Sequence, residues 1–207
     1  MNIGIYGGTF NPVHLGHVNM LSRAVKAAKL DRVLVVPDRI PPHKAAQSLA
    51  SGRDRLRMCR IAFRDIEEAE ICDWELKREG KSYSVITLRH FKEAFPGDRL
   101  YFIMGSDMLI SFHKWYCYEE ILSLAGLICI SRSGGDSDAV KDQAQRLRDM
   151  GAEIITVTAE PFEASSSQVR ELIEQGSDCE GLMDRGVMDY IRSRGLYCCG
   201  AKEDKID

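Results

Sequence analysis

Residues 7–17 read Gly7-Gly8-Thr9-Phe10-Asn11-Pro12-Val13-His14-Leu15-Gly16-His17 and come directly after the short apolar run of residues 2–6. An apolar run that breaks at two glycines is typical of a buried strand ending in a tight loop. Beyond the loop, apolar residues recur from Val18 to Ala28 with the period of one helical face. The segment therefore predicts a strand, a glycine-containing loop and a helix that begins near His14.

The same alternation continues along the chain. Further strands are predicted at residues 33–36, 71–76, 100–104, 127–130 and 154–157, and further helices at residues 51–64, 84–95, 118–124 and 138–150. Ser51 with Asp54 three residues later indicates a capping box at the start of the helix 51–64. Strands that alternate with helices predict an α/β fold with a Rossmann-like, doubly wound parallel sheet, whose ligands bind beyond the carboxyl ends of the strands.

Length and composition fit one globular domain. Domains contain about 150 residues on average, so the 207-residue chain is expected to form a single domain over residues 1–199. Residues 200–207 form a polar tail that is expected to fray. The net charge is −3, so the chain as a whole has no electrostatic attraction to nucleic acid, and no nucleic acid partner is expected. We expect no membrane partner, since no apolar run approaches the roughly 18 residues of a span. The amino terminus does not resemble a secretion signal, which favours a cytoplasmic location.

The chain has seven cysteines, which is an odd number, and no two of them form a C-x-x-C pair. Reduced thiols are therefore expected. Cys59, Cys72 and Cys129 lie in apolar patterns and are predicted to be small core residues. The charge-rich segments 53–60 and 141–148 are interpreted as solvated helix faces.

The loop after the first strand has the composition of an anion-binding site. It matches neither G-x-G-x-x-G nor the P-loop pattern. Two glycines allow a phosphate to approach the backbone, and a helix that begins near His14 would present its free N–H groups to that anion. His14 and His17 are three residues apart, so both imidazoles can face the same oxygens. A simple turn with a surface histidine pair, or half of a metal site with no further ligand at a suitable spacing, stays open as an alternative.

Residues 7–17 also resemble the G-G-T-F-[DN]-P-x-H-x-G-H signature of the nucleotidylyltransferase superfamily. Other motifs narrow the resemblance to the bacterial nicotinate mononucleotide adenylyltransferase family. They are Pro41-Pro42-His43-Lys44, Ser82-Tyr83-Ser84 with Thr87-Leu88, Gly105-Ser106-Asp107, Trp115, Ser131-Arg132 and Ser165-Ser166-Ser167-Gln168-Val169-Arg170. The resemblance covers nearly the whole chain. It implies a fold of the nucleotidylyltransferase type and transfer of the adenylyl group of ATP to nicotinate mononucleotide, giving nicotinate adenine dinucleotide and pyrophosphate.

The resemblance also implies roles for individual residues. The catalytic set is His14, His17, Lys44 and Arg170. The ATP-binding set is Gly7, Gly8, Thr9, Phe10, Gly105, Asp107, Ser165, Ser166, Ser167 and Val169. The set that binds nicotinate mononucleotide is Lys44, Tyr83, Ser84, Asp107, Trp115 and Arg132. Mg²⁺ is expected to enter with ATP, and no protein metal site is predicted.

Each implied role has a structural alternative. Ser165–Ser167 could serve as a helix cap without contacting a ligand, and Asp107 could cap the helix after it. Trp115 could belong to the core, and Arg132 and Arg170 could be solvated. Two other functions also stay open, namely adenylyl transfer to phosphopantetheine and a nucleotide-binding module without turnover. Chain length and the motifs at Pro41–Lys44 and Trp115 weigh against the phosphopantetheine alternative, and the sequence leaves the oligomeric state open, a homo-oligomer included.

Overall fold

In the computed structural model, which describes residues 1–40, 49–131, 138–158 and 164–198, the strands form one parallel sheet. The strands are β1 (Asn2–Gly8), β2 (Arg32–Pro37), β3 (Ala69–Ile71), β4 (Arg99–Gly105), β5 (Gly126–Ser131) and β6 (Ile154–Thr158). Their order is β3-β2-β1-β4-β5-β6, and every pair of neighbours is parallel. This is the strand order of a doubly wound Rossmann-like sheet, so the predicted fold class is confirmed.

Helices connect these strands. They are α1 (Leu15–Ala28), α2 (Gly52–Ala62), α3 (Trp74–Lys77), α4 (Ser84–Ala94), α5 (Ser106–Ile110), α6 (Tyr118–Leu124), α7 (Asp138–Asp149), α8 (Ser166–Glu174) and α9 (Arg185–Arg194), with a 3₁₀ turn at Phe112–Lys114. None of them, among the residues that the structure describes, has both the length and the apolar character needed to cross a membrane.

Apolar side chains cover both faces of the sheet. One layer holds the buried residues of α1, α2, α8 and α9, among them Leu21, Met58, Val169 and Ile191. The other holds those of α4, α5, α6 and α7, such as Leu88, Leu109 and Leu147. Because both faces are covered, the central strands β1, β2, β4 and β5 are almost continuously apolar, which is typical of a parallel sheet.

The predicted strand 71–76 is wrong. β3 ends at Ile71, and residues 74–77 form the short helix α3. Trp74, one of the apolar residues that suggested a strand, packs against α4, since its ring stacks on His90 with the ring centroids 4.2 Å apart.

The charge-rich segment 53–60 is not a solvated face throughout. Asp54 and Arg55 are buried together with the apolar residues Leu56, Met58 and Cys59 of the same helix. Cys129 is also buried and Cys72 is half-buried, and the cysteines of the described ranges are free thiols. The predicted cap is confirmed, because Oγ of Ser51 accepts the N–H of Asp54 at 3.1 Å.

Candidate active site

A cleft of about 810 Å³ opens at the carboxyl edge of the sheet, where the neighbouring strands β1 and β4 end. In an open α/β sheet this switch point between the two halves is the place where ligands bind. Most of the predicted site residues line the cleft, namely Gly7, Gly8, Thr9, Phe10, His14, His17, Tyr83, Ser84, Gly105, Asp107, Trp115, Ser165, Ser166, Ser167 and Arg170. The fold therefore brings together residues that are up to 163 positions apart in the chain (170 − 7).

Three predicted site residues are not placed in the cleft. Lys44 and Arg132 lie outside the described residues, as does the rest of the motif at 41–44. Val169 is buried in the apolar layer beneath α8, and its N–H donates to the carbonyl of Ser165 at 3.0 Å. Its side chain therefore supports the helix that carries Arg170 and does not line the cleft.

β1 ends with two glycines, Gly7 and Gly8, whose surroundings leave different amounts of space for a side chain. A Cβ atom on Gly8 would come within 3.0 Å of the Phe10 ring, so packing within the protein limits the side chain at this position. A Cβ atom on Gly7 would meet only the Phe102 ring, at an ordinary contact distance of 3.8 Å. Packing within the described residues therefore does not require glycine at position 7, and the missing side chain leaves the Gly7 backbone accessible from the cleft.

The two histidines are held together at the start of α1. His14 is the residue before the helix, and its N–H donates to Nδ1 of His17 at 3.2 Å. The ring centroids of the pair are 3.8 Å apart, and the Phe10 ring lies edge-on to His17 at 5.1 Å. Because Nδ1 of His17 accepts this N–H, the proton of the neutral ring is on Nε2. His17 is thus a hydrogen-bond donor at a helix amino terminus, where the helix dipole favours an anion.

Helix α8 is attached to the loop that follows β1. Nη1 of Arg170 donates to the carbonyl of Asn11 at 2.7 Å, and Oγ of Ser166 donates to the carbonyl of Pro12 at 2.9 Å. The alternative role as a helix cap is realised by Ser165, whose Oγ accepts the N–H of Gln168 at 3.1 Å. The amino termini of α1 and α8 therefore border the same end of the cleft, and Arg170 supplies a cation there.

A buried arginine that the sequence analysis missed supports the same loop. Arg55 is 1% exposed, and its guanidinium donates to the carbonyls of Thr9 and Asp38, at 2.8 and 2.7 Å. It also contacts the Asp38 carboxylate at 3.3 Å, which in turn accepts the Thr9 hydroxyl at 2.9 Å. Burial lowers the pKa of Arg55, while the charge of Asp38 opposes that change. Arg55 therefore fixes the Thr9 backbone from behind the cleft.

Tyr197, near the end of the described chain, contacts the same loop. Its hydroxyl donates to Oδ1 of Asn11 at 2.7 Å, and the N–H of Ala50 donates to the same oxygen at 3.0 Å. Burial raises the pKa of Tyr197. Nothing in the local sequence around Tyr197 indicates this contact, because the partner lies 186 positions away.

The opposite side of the cleft is aromatic. Trp115 is half-buried and lies edge-on to Phe102, with the ring centroids 5.8 Å apart. Tyr83 precedes α4, and its ring lies 4.9 Å from that of Tyr116. Aromatic rings beside a polar cleft provide a surface on which a flat heterocycle can stack.

The cleft combines cationic and hydrogen-bonding side chains with aromatic rings. Histidine, arginine and serine side chains line one end. No group of three or more histidine, cysteine, aspartate or glutamate side chains that could hold a metal ion occurs among residues 1–40, 49–131, 138–158 and 164–198. Such a site suits chemistry in which developing negative charge is stabilised by positioned donors.

The chain is similar to known proteins over almost its whole length. A family model described as cytidylyltransferase-like matches residues 5–172. A protein of Carboxydothermus hydrogenoformans named "Probable nicotinate-nucleotide adenylyltransferase" is 37% identical over 196 residues, covering 94% of this chain and 97% of its own. A protein of Clostridium tetani with the same name is 34% identical over 194 residues, covering 93% and 97% of the two chains.

The fold also matches solved structures. The nicotinic acid mononucleotide adenylyltransferase of Plasmodium falciparum, solved in complexes with APC and with NaAD, superimposes with a TM-score of 0.77 at 21% identity. In the APC complex the match covers 95% of this chain and 96% of the other. Because the family model matches most of the chain and the bacterial relatives match 93% and 94% of it, the chain belongs to the cytidylyltransferase-like family and, within it, to the nicotinate-nucleotide adenylyltransferases.

Proposed function

We propose that the chain transfers the adenylyl group of ATP to nicotinate mononucleotide, giving nicotinate adenine dinucleotide and pyrophosphate. The observation that carries this proposal is the meeting of His14, His17 and Arg170 around the end of β1. The names of the bacterial relatives favour this acceptor over phosphopantetheine. The names of these relatives, which are those of enzymes, also weigh against a binding module without turnover.

The reaction needs positioning more than it needs a base. The attacking group is a phosphate monoester, whose second pKa of about 6 leaves it largely ionised at neutral pH. It attacks the α-phosphorus of ATP in line with the bond to pyrophosphate, and that bond breaks as the new one forms. What the protein has to supply is alignment of the two phosphates and charge stabilisation as pyrophosphate leaves.

The ATP phosphates bind between the starts of α1 and α8. His17 donates from Nε2 and His14 lies beside it, so both contact oxygens of the α- and β-phosphates. Arg170 adds a fixed positive charge from α8, Ser166 holds that helix start against the loop, and Ser167 accepts a hydrogen bond from Arg170. Gly7, Gly8 and Thr9 provide backbone that the phosphates approach closely.

The remaining contacts divide between the ribose and the acceptor. Gly105 and Asp107, where β4 passes into α5, approach the ATP ribose, and Asp107 accepts from its hydroxyls. Tyr83, Ser84 and Trp115 form the nicotinate subsite, with Trp115 stacking on the pyridine ring. Lys44 and Arg132 add positive charge to the acceptor site in this proposal.

Mg²⁺ accompanies ATP in this proposal. The cleft carboxylates Asp38, Glu75 and Asp107 do not form a cluster of metal ligands. The ion would therefore be held by triphosphate oxygens and water and would neutralise part of the triphosphate charge. We further propose a cytoplasmic location, which the free thiols of the described cysteines support.

The test is an assay of pyrophosphate release with ATP and Mg²⁺. Nicotinate mononucleotide and phosphopantetheine are supplied in parallel, and the product is identified by its mass. We expect release with nicotinate mononucleotide, formation of nicotinate adenine dinucleotide, and loss of activity when Mg²⁺ is chelated. Release with phosphopantetheine alone would refute the proposed acceptor, and ATP binding without release from either acceptor would refute an enzymatic function.

A further inference from the structure

Glu75 is a buried carboxyl group in the wall of the cleft. It lies in α3, is 6% exposed and lines the cleft together with Ser82, Tyr83 and Ser84. Its Oε1 accepts the hydroxyl of Thr87 in a short hydrogen bond. Its Oε2 is buried and makes no hydrogen bond to the residues that the structure describes. A carboxyl group in that position is costly to ionise, because Oε2 is shielded from solvent and only part of the charge is compensated by donors.

The charged groups around Glu75 only partly offset this cost. Burial is the main influence and raises the pKa of Glu75, and the nearby negative charge of Asp38 acts in the same direction. The hydroxyls of Ser82 and Thr87 and the positive charge of Arg78 act in the opposite direction.

Other charges near Glu75 are engaged elsewhere. Nη1 of Arg39 donates to the carbonyl of Arg78, Lys77 pairs with Asp73 on the exposed side of α3 at 2.9 Å, and the ring of His90 in α4 stacks on Trp74. Burial therefore outweighs these contacts and holds the pKa of Glu75 above its ordinary value.

Glu75 is also connected to the proposed acceptor subsite. Thr87, its hydrogen-bond partner, lies one turn into α4, the helix that Tyr83 precedes and Ser84 begins. The proposed acceptor brings a carboxylate on its ring to this subsite, whereas its amide analogue, nicotinamide mononucleotide, brings a neutral carboxamide. The charge of Glu75 therefore acts differently on the two acceptors.

We propose that Glu75 is a specificity-determining residue: its neutral carboxyl favours an acceptor that carries a carboxylate, and its ionisation removes that advantage over the carboxamide. This inference rests on the proposed function. An ionised Glu75 would place a second negative charge beside the ring carboxylate in a region of low dielectric, which disfavours the acid acceptor. The amide acceptor has no charge on its ring substituent and is affected far less.

The first test compares the two acceptors across pH. The kcat/KM for nicotinate mononucleotide divided by that for nicotinamide mononucleotide is measured from about pH 5 to about pH 9, a range that begins just above the ordinary glutamate pKa. Titration of the acceptor phosphate is common to both substrates and cancels in this ratio. We expect the ratio to fall by about tenfold as the pH rises, the size of effect that one added charge produces in a partly buried site.

Two variants separate Glu75 from other causes. Glu75→Gln keeps the shape and stays neutral, so its ratio should remain high and no longer change with pH. Glu79→Gln makes the same substitution at an exposed glutamate of the following segment and should behave as the wild-type protein. A ratio independent of pH in the wild-type protein, or one that changes equally in Glu75→Gln, overturns the inference while leaving the proposed function intact.

A second test does not depend on turnover. A bound carboxylate raises the pKa of Glu75 further, so binding of the acid acceptor should take up more protons than binding of the amide acceptor. Calorimetry of each acceptor in buffers of different ionisation enthalpy measures that difference, and we expect Glu75→Gln to abolish it. Equal proton uptake by the wild-type protein, or no binding of either acceptor, overturns the inference. Absence of turnover with measurable binding counts against the proposed function instead.

Discussion

The carbonyl of Asn11 accepts a hydrogen bond of 2.7 Å from Nη1 of Arg170, a residue 159 positions later in the chain. Nη2 of the same guanidinium donates to Oγ of Ser167 at 3.2 Å. Arg170 thereby joins the loop after β1 to the start of α8, and its charge is directed into the cleft between them. The histidine pair and the arginine are thus fixed relative to each other by contacts within the protein.

Arg170→Lys should lower kcat/KM for adenylyl transfer by about 100-fold, the usual cost of losing one positioned donor to developing charge. A lysine ammonium cannot contact the Asn11 carbonyl and the Ser167 hydroxyl with the fork geometry of a guanidinium. Steady-state rates of pyrophosphate release measure the effect. Arg146→Lys, at an exposed position of α7, is the matched control and should be neutral. Equal activity of the two variants would show that Arg170 only anchors α8.

His17→Ala should lower kcat by about 100-fold to 1,000-fold while the protein remains folded. The variant removes the Nε2 donor and the acceptor of the His14 N–H, so a loss of about 1 kcal/mol in the free energy of unfolding is expected as well. Rates of pyrophosphate release and urea unfolding measure the two effects separately. His113→Ala removes an exposed imidazole and should change neither. If His17→Ala kept its rate, the proposed donation to the α- and β-phosphates would be wrong.

More of the fold than of the site could be predicted from the sequence. The sheet and α1 follow from hydrophobic period and from the ends of strands, whereas the gathering of residues 7–17 with Ser165–Arg170 is implied by the resemblance to the nucleotidylyltransferases. The error at residues 71–76 has a physical cause, because apolar residues that pack on a neighbouring helix produce the same local pattern as a strand. Helix α9 lies in a segment whose helical pattern the sequence analysis did not recognise.

The site residues that the sequence analysis did not find were missed for a different reason. Arg55, Glu75 and Tyr197 act through partners that lie far away in the sequence or in another element. An arginine in a charge-rich segment is ordinarily solvated, and only the tertiary contact with Thr9 and Asp38 makes Arg55 an exception. Local patterns thus identify groups that face the ligand and miss the buried groups that hold them.

Arg55→Met should destabilise the protein by about 3–5 kcal/mol, the usual consequence of removing one partner of a buried ion pair. The substitution leaves the Asp38 carboxylate, 13% exposed, without its buried cation, and it leaves the carbonyls of Thr9 and Ala50 without their donors. Urea unfolding followed by circular dichroism gives the free energy. Arg53→Met lies in the same helix at an exposed position and should change it by less than about 0.5 kcal/mol. Similar values for the two variants would contradict a supporting role for Arg55.

Tyr197→Phe should cost about 1 kcal/mol of stability, because the ring stays buried while the hydrogen bond to Oδ1 of Asn11 is lost. Asn11 also holds Arg170 through its carbonyl, so the same variant should lower kcat more than it raises KM. Unfolding and steady-state kinetics are measured together. Tyr118→Phe removes a hydroxyl whose partner, Glu119, is exposed, and serves as the control. A rate equal to that of the wild-type protein would show that the contact is only structural.

Asp184→Asn should make the free energy of unfolding less sensitive to a fall in pH. The side chain of Asp184 caps α9 through the N–H of Gly186 at 2.8 Å and pairs with Arg64 at 3.0 Å. The hydrogen bond from Arg64 is the main reason why the pKa of Asp184 lies below its ordinary value, and the N–H of Gly186 acts in the same direction. Asparagine caps a helix about as well as aspartate, so the substitution isolates the effect of the charge.

Because the pKa of Asp184 is lower in the folded protein than in the unfolded chain, its contribution is complete above the unfolded pKa and is lost as the pH falls through the folded one. Between about pH 5 and about pH 2, Asp184→Asn should therefore lose less free energy of unfolding than the wild-type protein. Urea unfolding at several pH values measures this. Asp65→Asn, at an exposed neighbour of Arg64, should follow the wild-type curve. Parallel curves for Asp184→Asn and the wild-type protein would show that the contact with Arg64 contributes nothing to acid sensitivity.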